Sequence, residues 1–375
     1  MKQNSVRYIP LGEVVSVYDK KNTDGMNLPV YGINKDNDFM PTVANLNDVD
    51  TSKYKLLKKG VFAFNGMHVG RDVAVPIGKF DEDFDALISP AYTTFTIKNC
   101  EEVIDDYLEI IFRLDEFDRN AWFYCDSSIR GGIDWKRLCE ILIPLPSPDK
   151  QREIVNVWKS LKRLKEQNEK ISEPLMALCR SKLKELRDTM PLTALDDYIE
   201  QSDQRNYDGY YGESDVRGLA TSKEMIATKA NLEGVSLTSY KLFKPQEFAY
   251  VPDTSRRGDK VSMAFNGTKN IHIVSSISCV FRVKPNKELI PDYLFMFFLR
   301  PEFDRYARFN SWGSARETFT WEEMKRVKIP IPSKEVQQAI VDIYQCAQRA
   351  KTIAAEADKQ LKSICPALIQ YVANN

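Results

Sequence analysis

The chain repeats itself with a shift of 186 residues, and nothing else in it constrains the fold as much. The run Ser-Lys-Tyr-Lys-Leu-Leu-Lys at 52–58 matches Thr-Ser-Tyr-Lys-Leu-Phe-Lys at 238–244. Asp106-Tyr107-Leu108 matches Asp292-Tyr293-Leu294, and Glu116 to Arg119 matches Glu302 to Arg305. Trp135 matches Trp321, and Ile143-Pro-Leu-Pro-Ser147 matches Ile329-Pro-Ile-Pro-Ser333. A shift held over five blocks is not an accident. Two copies are too few, and too long, for a solenoid. They are two similar domains, each followed by its own helix. The first part of each copy agrees less well. Pro10-Leu11-Gly12 and Pro191-Leu192-Thr193 read as domain starts at a shift of 181, so a gap is expected.

Each copy closes with Ile-Pro-x-Pro-Ser, which is extended, non-helical punctuation. A serine followed by Asp149 or Glu335 then marks a helix start. In the first helix the heptad positions 154, 157, 161, 164, 168, 171, 175 and 178 carry Ile, Val, Leu, Leu, Asn, Ile, Leu and Leu. That is a coiled-coil seam with one polar residue. Ile154, Leu161, Leu164, Ile171 and Leu175 are its expected contacts, and Pro174 is expected to kink it. The second helix carries Ile340, Ile343, Ala347, Ala350, Ala354, Ala357, Leu361 and Ile364 at alternating spacings of four and three. Its central alanines admit a close partner. Neither helix is stable with its apolar face wet, so they should pack on each other. Short strand-like runs (Gly60–Phe64, Thr93–Ile97, Glu247–Tyr250, Ser278–Val283) and helical runs from Asp106 to Phe117 and Asp292 to Phe303 make the fold class α+β. The boundaries expected are a first domain at 1–147, a long helix at 148–190, a second domain at 191–333 and a second long helix at 334–375.

Composition excludes several classes. No apolar run is long enough to span a membrane, and the N-terminus does not read as a signal peptide. An odd count of 7 cysteines without Cys-x-x-Cys reads as reduced, mostly buried thiols in a cytoplasmic protein. With only 2 histidines a zinc site is not expected, nor is any other metal or cofactor. Net charge is zero, which argues against indiscriminate coating of nucleic acid. The charge is uneven, with 17 basic and 23 acidic residues over 1–148 but 11 and 7 over 149–190. A nucleic-acid binder of this composition works through local patches.

The duplicated order of domain, Trp-(x)7-Ile-Pro-x-Pro and long helix resembles the specificity subunit of type I restriction-modification systems. The stretches that carry the resemblance are Arg130–Trp135 through Ile143–Ile154, and Arg316–Trp321 through Ile329–Ile340. A third, Lys59–Phe62 running to Val69-Gly70-Arg71, is similar to a strand–loop–strand segment of that family. The likeness spans essentially the whole chain. It implies two DNA target recognition domains separated by two long antiparallel coiled-coil helices. Each domain would read half of a bipartite duplex site in defence against foreign DNA. The helices would fix the spacer and dock two methyltransferase (M) subunits, which restriction (R) subunits join. The subunit itself would be non-catalytic.

Arginine and lysine read guanine and hold phosphates, so loop cations are the candidate contacts. Arg130 and Arg316 align at the 186 shift, each two residues after an aligned serine, Ser128 and Ser314. Arg71 and Arg257 also align, with Arg256 and Lys260 nearby. Asn65 and His68 stand in the first copy's loop with hydrogen-bonding groups for base edges. Trp135, Trp321, Phe117 and Phe303 are read as core anchors. No phosphate-binding Gly-x-x-x-x-Gly-Lys-Ser/Thr occurs. Pro291-Asp292 with Glu323 and Lys325 echoes a nuclease, but the first copy has Arg137, Leu138 and Cys139 at the second element. Two alternatives stay open: a non-enzymatic scaffold, and a specificity subunit of a methylation-only system.

Overall fold

The computed structural model describes the chain except residues 1–5, 47–48, 68, 70–72, 126–130, 254–259, 314–315 and 375, with side chains at 365 and 372–374 also outside it. It divides into two compact units, one of residues 1–168 with 352–375 and one of residues 169–351.

In the first unit, strands Arg7–Pro10 and Leu142–Leu145 pair antiparallel, with Ile9 opposite Ile143. A four-stranded antiparallel sheet follows in the order Val15–Val17, Thr93–Ile97, Phe62–Phe64, Ile77–Lys79. Phe62, Ala63 and Phe64 are all buried, so this strand has core on both faces. A second four-stranded sheet runs Phe39–Pro41, Val30–Ile33, Ala86–Ile88, Lys55–Leu57 and contains the parallel pair Val30↔Leu87. Phe62 stacks on Phe95 at 5.2 Å, and Phe112 meets both edge-on.

The second unit repeats this plan by itself. Its four-stranded sheet runs Ile199–Gln201, Cys279–Val283, Glu247–Tyr250, Met263–Phe265. Phe248, Phe281 and Phe298 rebuild the aromatic trio, with the stacked pair at 5.0 Å. The parallel pair shrinks to a single bridge, Val216↔Ile273, 186 residues after Val30↔Leu87. The gap near the domain starts is real but smaller than the sequence suggested. Leu11 N–H donates to the Ile141 carbonyl and Leu195 N–H to that of Val327, both leucines fully buried. Leu11 therefore corresponds to Leu195, not to Leu192, which is exposed. Each long helical run also breaks in two: Asp105–Phe112 with Asp115–Phe123, and Pro291–Phe298 with Pro301–Phe309. In the second copy Pro301 opens the new helix.

The first long helix is Pro148–Thr189, and Pro174 stands inside it without ending it. The second is Lys334–Asn374. In the first unit Ile154, Val155 and Trp158 share a core with Leu361, Leu368 and Ile369, while Lys165 pairs with Asp358 at 2.6 Å. Rising numbers on one helix meet falling numbers on the other, so they run antiparallel. In the second unit Cys179, Leu183 and Leu186 pack with Ile340, Val341 and Ile343.

The buried stripe of the first helix differs from the heptad reading. Ile154 is buried and Leu161, Asn168 and Leu175 are half-buried. Val157, Leu164, Ile171 and Leu178 are 38–52% exposed. Trp158, Lys165, Ser172 and Cys179 take their places. Both rows have seven-residue spacing and both flank the Ile154 row. The domain cores choose between them by gripping Trp158 in one unit and Cys179 in the other. On the second helix Ile340, Ala347, Ala350, Ala354 and Ala357 are buried, Ile343 and Leu361 are half-buried, and Ile364 is exposed.

Candidate nucleic-acid interface

Each unit joins two loops that the sequence singled out separately. In the second unit Phe319 N–H donates to the Pro252 carbonyl at 2.8 Å, and Asp253 bridges Thr318. Trp312 and Thr318 exchange backbone hydrogen bonds at 3.2 and 3.0 Å. The loop after the Glu247–Tyr250 strand is thereby tied to the loop that carries Arg316. In the first unit Ile133 N–H donates to the Gly66 carbonyl at 3.0 Å. This is the same bond, 186 residues earlier. A Cβ on Gly66 would lie 2.0 Å from the Ile133 carbonyl oxygen, so glycine permits the approach. Gly313, at φ +142°, is likewise required: a Cβ there would meet the Arg316 carbonyl oxygen at 2.1 Å.

Most of the proposed reading groups (Arg71, His68, Ser128, Arg130, Arg256, Arg257 and Ser314) lie outside the described residues. Arg316 is exposed beside the Trp312–Thr318 turn. Arg308 and Glu317 form an ion pair at the base of that turn. Asn65 is half-buried, and its carbonyl accepts the Met67 N–H at 3.0 Å, so that oxygen shapes its own loop. Lys260 is exposed and sits in a different neighbourhood, a crevice with Thr221, Lys223 and Arg305. Trp135 and Trp321 lie half-buried against Phe95 and Phe281 at 5.1 and 5.4 Å, as core anchors.

Two residues escaped the sequence reading. Phe123 and Phe309 end equivalent helices just before the second loop of each copy and are 82% and 79% exposed. They align at the 186 shift, and that signal was available. Both offer open aromatic faces beside the loops.

A triad of acidic groups, Asp81, Asp106 and Glu109, has its oxygens within 4.8 Å of one another. Lys79 already occupies it, 3.0 Å from Asp81 and 3.6 Å from Glu109 and hydrogen-bonded to Asp106. Burial pulls the Lys79 pKa down, but the surrounding carboxylates outweigh this and hold the ammonium above its ordinary range. The ammonium fills the place a cation would take.

These features define a duplicated α+β protein that carries paired variable loops on a shared scaffold and ends each copy in a long helix. Residues 254–363 match the family described as Type I restriction modification DNA specificity domain. The whole chain has the fold of a type I specificity subunit. It is similar to the crystal structure of the Type-I restriction-modification system S subunit from M. genitalium, at 14% identity and TM-score 0.58, over 99% of this chain and 97% of that one. The crystal structure of the HsdS subunit from Thermoanaerobacter tengcongensis also aligns, at 16% identity and TM-score 0.41, over 98% and 96% of the two chains. No curated protein sequence matches the chain. Among the described residues, no helix is long and apolar enough to cross a membrane.

Proposed function

We propose that this chain is the DNA-reading subunit of a type I restriction-modification complex in the cytoplasm, and that it catalyses no chemistry itself. Residues 1–147 and 191–333 are the two recognition domains, each reading half of a bipartite duplex site. The observation that carries this reading is the loop pair repeated at equivalent places with different residues. Gly66 and Ile133 occupy in one copy the positions of Pro252 and Phe319 in the other. One scaffold with two different loop pairs suits two different half-sites. Arg316 and Lys260, with Arg71, Arg130, Arg256 and Arg257, supply the base and phosphate contacts, and Ser128, Ser314, Asn65 and His68 support them.

The long helices, residues 148–190 and 334–375, set the distance between half-sites. At 42 and 41 residues they are about 60 Å long at 1.5 Å per residue. One turn of DNA is about 34–36 Å. The exposed row Val157, Leu164, Ile171 and Leu178 supports docking of methyltransferase subunits, with restriction subunits joining them.

Methylome sequencing of the host with and without this gene tests the reading. Loss of one bipartite adenine-methylated motif on deletion is the expected result. An unchanged methylome in a host whose adjacent methyltransferase is active would overturn it. Removing one heptad from residues 154–171 should alter or abolish the spacer.

A further inference from the structure

We infer that a crevice of about 310 Å³ in the second unit, lined by Thr221, Lys223, Lys260 and Arg305, seats one phosphodiester of the DNA backbone, and that the described residues of the first unit form no counterpart. This rests on the reading of the chain as a DNA binder and assigns one half-site an electrostatic contact that the other lacks.

The crevice is built by a buried lysine. Thr221, Ser222 and Lys223 form the tip of the hairpin between Arg217–Leu219 and Met225–Ala227. Lys223 sits at φ +68°, a left-handed conformation disfavoured for any residue with a Cβ. Its side chain is only 4% exposed. The ammonium donates to the Val261 carbonyl at 2.6 Å and to Asp304. Asp304 also accepts the Val261 N–H at 3.0 Å. This knot pins the hairpin tip against the helix Pro301–Phe309 and against the residue next to Lys260.

The charge left over is positive. Asp304 neutralises Lys223, so Lys260 and Arg305 remain. Lys260 is exposed and has no ion-pair partner among the described residues. Arg305 is 71% exposed, and its only contact to Glu302 is at 3.8 Å, a geometry that holds it weakly. The Ser222 hydroxyl is engaged by Glu224 at 2.8 Å, which leaves Thr221 as the hydroxyl donor. Two exposed cations and a hydroxyl around one open crevice suit a phosphate better than a base edge.

The first unit keeps the aspartate and the arginine, as Asp118 and Arg119, but has neither lysine. Asn37 and Ala74 stand where Lys223 and Lys260 do, and Asp36 and Asp115 replace Ser222 and Pro301. Arg119 keeps the place of Arg305, but it is paired with Glu116. Lys35 replaces Thr221, and Arg113 replaces Leu299, yet Arg113 is committed to Asp38 at 2.7 Å and Glu109 at 3.0 Å.

The test uses the full complex with its methyltransferase subunits and duplex DNA carrying the methylome-defined site. Affinity is measured between 50 and 200 mM salt for wild type, for Lys260→Gln/Arg305→Gln and for Lys35→Gln/Arg119→Gln. Each phosphate contact contributes about 0.9 to the slope of log K against log salt. The first variant should lose about one such contact, and the second should keep the wild-type slope. Ethylation of single phosphates should reveal one position, in one half-site, whose penalty disappears in Lys260→Gln/Arg305→Gln. An unchanged slope with an unchanged ethylation pattern overturns the crevice while leaving the DNA reading intact. Failure of the wild-type complex to bind the duplex overturns both. Both mutated side chains are exposed, so the variant should fold as wild type does, and a matching melting curve checks this.

Discussion

The side chain of Gln151 accepts the backbone N–H of Ile104 at 2.9 Å and donates to the carbonyls of Glu102 and Pro146, both at 2.9 Å. Gln337 repeats the arrangement with Ile290, Glu288 and Pro332, each at 2.8 Å. Both glutamines are fully buried in the first turn of a long helix. Each amide binds the end of the Ile-Pro-x-Pro strand to the loop that opens a domain helix. Tyr107 and Tyr293 reinforce the joint through hydrogen bonds to Pro144 and Pro330. The repeated motif is therefore a structural clasp between domain and helix.

Gln151→Glu should be harmful despite its small change in shape. It removes both N–H donors and points a carboxylate at two carbonyls. A buried unsatisfied group costs about 1–3 kcal/mol, and a charged one more, so we expect a loss of at least about 3 kcal/mol. Urea denaturation of the two variants Gln151→Glu and Gln337→Glu measures it. Losses under about 1 kcal/mol in both would show that the clasp is dispensable.

The fold was legible because its repeat was. Trp135, Phe117 and the Ile-Pro-x-Pro strand all fall where the 186 shift and the apolar pattern place them, with Trp135 packed on Phe95 and Phe117 buried. The start of each copy was less so. Leu11 and Leu195 are matched by the carbonyl each one bonds, and no local motif carries that information. The rotation of the first long helix was hidden for a physical reason. Ile171 and Ser172 are neighbours on its surface, and the hydrophobic one is 50% exposed. The choice is made by Trp158 and Cys179, which the domains bury. The cysteines follow the same logic: Cys179 and Cys279 are buried, but Cys100 and Cys346 are exposed. The candidate DNA contacts were legible only as loops, because a loop cation's role depends on what docks against it.

The two copies solve one packing problem with different chemistry. Lys79 and Glu109 are 3% and 4% exposed in the first unit. At the same places in the second stand Phe265 and Phe295, with ring centroids 5.4 Å apart. Lys79 is ringed by Asp81, Asp105, Asp106 and Glu109, and Lys159 and Lys162 reach Asp106 and Glu109 from the long helix. Lys79→Ala should cost about 3–5 kcal/mol, because it strands buried carboxylates. The double variant Lys79→Phe/Glu109→Phe should lose less than the two single changes added together, by about 1 kcal/mol or more. A double-mutant cycle by thermal denaturation reads the coupling. Strict additivity would mean that the two positions do not act as a pair.

Asp118 and Asp304 occupy equivalent places but not equivalent surroundings. Each accepts a backbone N–H, from Val75 at 2.9 Å and from Val261 at 3.0 Å. Asp304 has Lys223 beside it, whereas Asn37 stands at that position in the first copy. Burial pushes the Asp118 carboxyl up to about 6, the Val75 bond only partly offsetting it and Asp115 adding to it. The folded state thus binds this proton more tightly than the unfolded chain does. Its contribution to stability is complete below about pH 4 and is lost as pH rises to about 6. Asp118→Asn keeps an acceptor for Val75 and removes the titration. Because Asp118 is only partly buried and solvent screens its charge, the variant should raise stability at pH 7 by about 1 kcal/mol and leave pH 4 unchanged. Melting temperatures across pH 4 to 7 check this; equal gains at both ends would assign the effect to something other than the proton.

The first long helix presents one apolar row to the protein and another to solvent, and the two should respond oppositely to substitution. Leu164 is 42% exposed and Ile171 50%. Leu164→Glu/Ile171→Glu should change the stability of the isolated chain by no more than about 0.5 kcal/mol per site, as exposed substitutions do. If this row docks the methyltransferase, the same variant should lose methyltransferase binding, read by co-purification and calorimetry. The second helix gives the contrasting control. Ala347 and Ala357 are 1% and 2% exposed, so leucine at either overfills a closed space and should cost about 1–3 kcal/mol. Unfolding of the Leu164→Glu/Ile171→Glu chain would place the heptad row inside after all. A stable variant that still binds the methyltransferase at wild-type strength would leave the row without that partner.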